Sequence, residues 1–248
     1  DLEGYGTAAL FNDPLIVIDP TDMNRNVGAA LRLDKMAEFI QSARNYLASN
    51  NKKEYFYPVA NKFAKDEILE EFQKRGSDVI AVKFNIPDIP LDTLHPQLRK
   101  TTESLAEKLN DEDFSVYQSD YWSDEENTAV LLFEMTVSRL NNTKIHYGPK
   151  VFVKRGSQNF IDKHGIENCY ILDDFVVSKI SREFVTASDF INYVLSYENI
   201  SLIKVGKNLL DNIITSYELL SLDDLDLSNK SFVTFLDDFL NPNKYLFR

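Results

Sequence analysis

The chain has 248 residues, 44% of them apolar, and a formal net charge of −12. That length allows roughly three-quarters of the unfolded surface to be buried in one large domain or two to three small ones, and the acidic balance argues against a generic nucleic-acid binder with a basic excess. The single Cys169 excludes an intramolecular disulfide framework and a multi-cysteine zinc site.

Residues 1–9 show no clear element and no initiator Met, so the sequence reads as part of a longer protein. Residues 11–18 read as a short strand or buried segment ending at Pro20. The stretch Asp19-Pro20-Thr21-Asp22-Met23-Asn24-Arg25-Asn26 then packs two carboxylates, two carboxamides and one Arg into a loop. That is too many polar groups to bury without partners. Asn24 or Asn26 is placed to cap a turn through Ala29-Ala30-Leu31. Asp34 is placed to cap a helix over 35–48, whose apolar face is Met36, Phe39, Ile40, Ala43 and Leu47. The polar run 49–53 ends it.

A helix over 66–75 follows, with Gly76 at its C-terminal stop. Residues 79–86 are β-branched and aromatic and read as a buried strand. A helix over 94–109 carries the stripe Leu94, Leu98, Leu105 and Leu109, with Pro96 tolerated in its first turn. Strands over 114–122 and 128–137 form a hairpin around the polar turn 123–127. A helix over 158–164 and strands over 168–172 and 175–180 come next. From residue 79 to 172 the order is β-α-β-β-α-β, the ferredoxin-like order, also used by RNA-recognition modules. Helices over 188–196, 207–220 and 232–240 complete an α+β chain with a helical C-terminal region.

His95, His146 and His164 lie far apart and none falls in HExxH, so zinc is not expected. Asp19 and Asp22 follow the turn-capping pattern better than that of magnesium ligands. With no GxGxxG, GxxxxGK[ST] or GxSxG, dinucleotide, P-loop and serine-hydrolase chemistry lose their support. Cys169, beside Tyr170 and Ile171, reads as a buried inert thiol. The acidic turns at 120–126 and at Asp173-Asp174 read as solvated, and Trp122 as a rim packing residue. No apolar run nears 18 residues and no signal-peptide pattern is present, which gives a soluble cytoplasmic location by default.

Two features point to chemistry. Lys144, His146, Lys150, Lys154, Arg155, Lys163 and His164 are opposed only by Asp162 and alternate with Tyr147, Phe152 and Phe160. Cations interleaved with aromatics fit RNA, and an amphipathic element with exposed lysines gives the same pattern. Arg25 presents a planar fork for a base edge or phosphate. It is equally placed to pair with Asp19 or Asp22, and the two roles are compatible.

Residues 19–31 resemble the DPxDxxRNVxAAL signature of archaeal (class I) CCA-adding enzymes, the tRNA nucleotidyltransferases. The likeness continues in order through Leu94-His95-Pro96-Gln97 with Arg99-Lys100-Thr101, Phe114-Ser115-Val116, Leu132-Phe133-Glu134, His146-Tyr147-Gly148-Pro149-Lys150-Val151, and Phe235-Leu236-Asp237-Asp238-Phe239-Leu240 before Tyr245-Leu246. The resemblance implies the end of a helical neck over 1–54, a ferredoxin-like body over 55–140, a basic tail region over 141–185 and C-terminal helices over 186–248. It implies nucleotide-pocket residues Arg25, Asn26 and Asp22, and RNA contacts from Arg99, Lys100, Lys144, His146, Lys150, Lys154, Arg155 and Lys163. Partners would be the acceptor and T stems of tRNA, an N-terminal catalytic head and, in a homodimer, a second copy, with no membrane. Gly156-Ser157 is followed by no suitably spaced DxD, and Asp224-Leu225-Asp226 has no GS before it. No catalytic or metal residue is therefore expected here, and magnesium, CTP and ATP would belong to the full enzyme. Gly28 in the signature is expected only to loosen a helix start. The acidic charge predicts weak, salt-sensitive RNA binding. The rival reading is a noncatalytic ferredoxin-like protein-interaction module. A poly(A)-polymerase-type C-terminal domain shares the fold, and the 19–31 stretch argues against it.

Overall fold

In the computed structural model, which describes residues 11–246, the polar stretch expected as a loop is a small antiparallel ribbon. Its strands are β1 (Ile18–Asp19) and β2 (Asp22–Asn26). The expectation for residues 1–9 lies outside the described residues. Helix α1 (Leu33–Ala48) follows after a turn. Its cap position is Arg32 rather than Asp34, and Asp34 sits in the first turn, accepting from Arg32 Nε at 2.8 Å. A carboxylate there complements the helix dipole. None of the residues of α1 is buried, and Leu33, Phe39 and Leu47 are 74%, 66% and 71% exposed.

The chain forms two units, residues 1–62 with 237–248 and residues 63–236. The larger unit runs α2 (Lys65–Arg75), β3 (Asp78–Asn85), α3 (Leu91–Asp111), β4 (Ser115–Ser123) and β5 (Thr128–Val137). It continues through β6 (Thr143–Lys150), α4 (Lys154–His164), β7 (Cys169–Leu172), β8 (Phe175–Ser181), α5 (Ala187–Val194), α6 (Leu210–Ser216) and β9 (Glu218–Ser221) into α7 (Lys230–Leu240). Gly76 ends α2 in the left-handed region at φ 68°, as its sequence position suggested. Helix α3 begins three residues earlier than expected because the backbone N–H groups of Thr93 and Leu94 both reach Pro90 O at 2.9 Å.

The fold is α+β with antiparallel sheets, and the strands of the larger unit divide between two of them. The larger has the order β4-β5-β3-β9 and the smaller β6-β8-β7. The strand and helix expected to finish a single β-α-β-β-α-β unit, over 158–164 and 168–172, belong to the smaller sheet instead. Their place beside β3 is taken by β9, preceded by α5 and α6. Two strands of the larger unit escaped the sequence pattern for physical reasons. β6 contains Gly148 and Pro149, which only an edge strand tolerates, and its register slips between Tyr147 and Lys150. β9 is a four-residue strand directly after α6, where Glu218-Leu219-Leu220 extends the helical spacing.

Strand alternation sorts the large sheet into two faces. Ile80, Val82 and Phe84 pair with Phe133, Leu131 and Ala129, and with Met135 they share one core with Leu94, Leu98, Leu105 and Leu109 of α3 and with Phe190 and Ile213. On the other face Val79, Ala81 and Lys83 pair with Glu134, Leu132 and Val130. Glu134 is 1% exposed there, and Ser77 Oγ donates to it at 2.6 Å and Arg75 Nη1 at 3.1 Å. A buried carboxylate persists only with such partners. Trp122 packs on Phe232 with ring centroids 5.0 Å apart, so it is a packing residue. Cys169 is half-buried rather than buried.

Candidate nucleic-acid interface

The ribbon is held by its own side chains. Asp19 Oδ1 accepts from the Thr21 hydroxyl at 2.7 Å and the Thr21 backbone N–H at 2.9 Å. These bonds, led by the hydroxyl and helped by the nearby Arg25 charge, hold the Asp19 carboxyl below its ordinary range. Arg25 Nη1 lies 3.7 Å from Asp19 Oδ2 while the Arg25 side chain stays 67% exposed. Asp22 is used differently, accepting from the Asn24 backbone N–H at 3.0 Å. Asp19 is therefore the carboxylate that steadies Arg25, and the guanidinium keeps donors open to solvent.

Asn26 is 8% exposed, and its carboxamide is fully used. Its Oδ1 accepts from the backbone N–H groups of Val17 at 2.7 Å and Gly28 at 2.9 Å. Its Nδ2 donates to Asp13 Oδ2 at 2.8 Å and Leu15 O at 2.9 Å. The residue ties the incoming segment to the ribbon. Gly28 is required here: a Cβ at that position would lie 2.5 Å from Leu15 O. No helix starts at this point, so the expected loosening of a helix start does not arise. Asn26→Ala leaves two amides unpaired and is expected to cost about 2 kcal/mol. Urea unfolding checks the cost, and faster hydrogen exchange at Val17 and Gly28 checks its location.

The basic stretch splits into parts. Lys150, at the end of β6, is bound to Asp174 Oδ2 at 2.7 Å and lies 5.4 Å over the Phe175 ring. Lys154 and Arg155 open α4 and are exposed, with no ion pair among the described residues. Cations in a first helical turn oppose the helix dipole. The same helix end, with its free N–H groups, favours an anion. The connecting Val151-Phe152-Val153 is exposed by 39%, 85% and 56%, and Tyr147 by 56%. Lys163 sits in the last turn of α4, where the dipole favours it.

His146 stacks on Phe160 at 5.5 Å and stands 5.2 Å from His164, so these rings hold α4 against β6. Desolvation first, then the charges of His146 and Lys163, hold His164 below the ordinary imidazole value. Lys144 faces a separate cavity with Lys108 and Arg182. Arg99 and Lys100 stand on α3, which packs on β4, β5 and α5. The predicted RNA residues thus fall at both ends of α4, in the ring stack between α4 and β6, in the Lys144 cavity and on α3. Lys108 and Arg182 were not legible, because the docking of β8 beside the end of α3 brings them together and no spacing encodes that.

Two helix-covered antiparallel sheets with one cationic, aromatic edge on an acidic chain define the class, an α+β protein with a local cationic surface. The family model described as CCA-adding enzyme, C-terminal domain, matches residues 75–222. That described as tRNA nucleotidyltransferase, second domain, matches residues 1–57. The chain belongs to the CCA-adding enzyme family. The CCA-adding enzyme of Methanothermobacter thermautotrophicus is 39% identical over 249 residues, spanning 100% of this chain and 54% of its own length. That of Methanosarcina barkeri is 39% identical over 180 residues, covering 71% and 39% of the two chains, and that of Haloarcula marismortui 27% over 259 residues, covering 98% and 54%. The chain spans about half the length of the curated relatives it matches with nearly full coverage.

Proposed function

We propose that this chain is the RNA-gripping portion of a CCA-adding enzyme and completes its nucleotide pocket. In this reading the whole protein adds CMP and AMP from CTP and ATP to tRNA 3′ ends in the cytoplasm, and a catalytic head supplies the metal-binding carboxylates. The observation that carries it is the exposed pair Lys154 and Arg155 at the start of α4, a cost to the free helix that a phosphate offsets. Arg25, steadied by Asp19, is the base reader of the incoming nucleotide, with Asn26 and Asp22 as positioning residues that fix its ribbon. The exposed apolar side of α1 fits cover by the rest of the neck or the head. The transfer step is assigned to the head, and incorporation of labelled CTP into a tRNA lacking CCA by the 248-residue chain alone would overturn that assignment. No helix among the described residues is long and apolar enough to cross a membrane.

The test is a gel shift of the 248-residue chain with a minihelix of tRNA acceptor and T stems. Binding should be clear at 50 mM salt and fall steeply by 200 mM, since released counterions set the salt slope. Absence of binding at low salt would instead favour the protein-interaction module.

A further inference from the structure

A second cluster of cations lines a cavity in the larger unit, away from the start of α4. This cavity of 240 Å³ is lined by Lys108 from α3, Lys144 from β6 and Arg182 just after β8. Arg182 is 14% exposed, and its Nη1 donates to Asp113 at 2.8 Å. Its Nε–H is buried and has no partner. An unmet buried donor is costly, and it signals a missing acceptor. Lys108 and Lys144 are half-buried and make no ion pair with any described residue. Three cations therefore line one cavity; Arg182, paired with Asp113, keeps one unmet donor, and the two lysines have no ion pair with any described residue.

The other walls narrow the ligand. Phe184 and Tyr193, with ring centroids 4.7 Å apart, form an aromatic side, and Tyr193 is 37% exposed. Glu112 and Glu183 also line the cavity, and neither is paired with the lysines. Two carboxylates disfavour a bare multivalent anion, but they can accept from sugar hydroxyls. We propose that this cavity binds one ribonucleotide unit. Its phosphate sits on Lys108, Lys144 and Arg182, its ribose hydroxyls face Glu112 or Glu183, and its base rests against Tyr193 and Phe184. The volume holds a phosphate and sugar with the base at the mouth. The unit comes either from a free ribonucleoside monophosphate or from an RNA strand, and only the second source rests on the RNA-binding reading above.

Equilibrium dialysis of the 248-residue chain with labelled AMP and deoxy-AMP tests the site directly, beside minihelix binding. The free-nucleotide arm expects AMP to bind more tightly than deoxy-AMP, and K108Q/K144Q to weaken it at least tenfold with an unchanged urea midpoint. Arg182→Gln should do the same, and the lysine pair keeps the test valid if that variant loosens the fold. The RNA arm expects little AMP binding but a minihelix salt slope lowered by about 1.8 in K108Q/K144Q, at about 0.9 per phosphate contact. AMP binding without minihelix binding supports the site while removing the RNA reading. Unchanged minihelix binding with no AMP binding overturns the site and leaves that reading intact.

Discussion

Lys244→Ala is expected to destabilise the smaller unit by about 3–5 kcal/mol, the cost of stranding a buried charge. Lys244 is 4% exposed in its side chain, and its Nζ lies 2.7 Å from both Asp237 Oδ2 and Asp238 Oδ1. Asp237 is fully buried and also accepts the Lys62 backbone N–H at 2.9 Å. Lys244 further reaches Asn61 Oδ1 at 3.1 Å. The Asn45 carboxamide donates to the Leu246 carbonyl, adding α1 to the same knot. Without the amine, Asp237 must take up a proton or draw in water. Asp237→Asn combined with Lys244→Met should recover much of the loss, because the penalty comes from the unpaired partner rather than from absence of the pair. Urea unfolding followed by tyrosine fluorescence measures this, and a change below about 1 kcal/mol would remove the network from the stability of the unit.

The alkaline limb carries the same signature. Burial pulls the Lys244 amine down, but hydrogen bonds to Asp237 and Asp238 outweigh it and leave the pKa above 10.5. Burial, then the Asp238 charge, raises Tyr245 above 10.0. In both cases the folded state holds the proton more tightly than the unfolded chain. Their contribution is therefore complete below pH 10 and is lost as pH rises through the folded values. Lys244→Ala should flatten the alkaline loss of stability.

Local elements were legible where period and punctuation agreed. The stripe of α3, the hairpin of β4 and β5, and Gly76 after α2 all follow from side-chain spacing and backbone freedom. What escaped was long-range pairing. The fourth strand of the large sheet lies 81 residues after β5 ends, since Val137 precedes Glu218 by that count (218 − 137). No local pattern announces that partner. The site shows the same division. Arg25 stood out as an Arg among carboxylates, but only the geometry selects Asp19 over Asp22. Asn26 entered through the family resemblance, and its four internal bonds, a bracing role, come from chain closure that no spacing encodes. Nothing in the local spacing of Asp237 and Asp238 signals burial, yet Asp237 is fully buried against Lys244, seven residues later.

Changing Lys150, Lys154 and Arg155 together to Ala is expected to weaken minihelix binding about a hundredfold at 50 mM salt, equivalent to about 2.7 kcal/mol. The three should not contribute equally. Lys154 and Arg155 are free to meet phosphate at the helix start, so each removal should lower the salt slope by about 0.9. Lys150 already holds Asp174 at 2.7 Å. Recruiting it to RNA breaks that pair, and deleting it leaves Asp174 as a free negative charge near the phosphate. Lys150→Ala should thus act through repulsion, and Lys150→Ala with Asp174→Asn should recover part of the affinity. Phe152 separates a second contribution. At 85% exposure it has little folded-state role, and a base stacked on it would contribute about 1–3 kcal/mol with no change in salt slope. Filter binding from 50 to 200 mM salt distinguishes these effects by slope and intercept. If the triple variant binds with the parental slope, phosphate contact lies elsewhere, and the cationic start of α4 has no part in holding RNA.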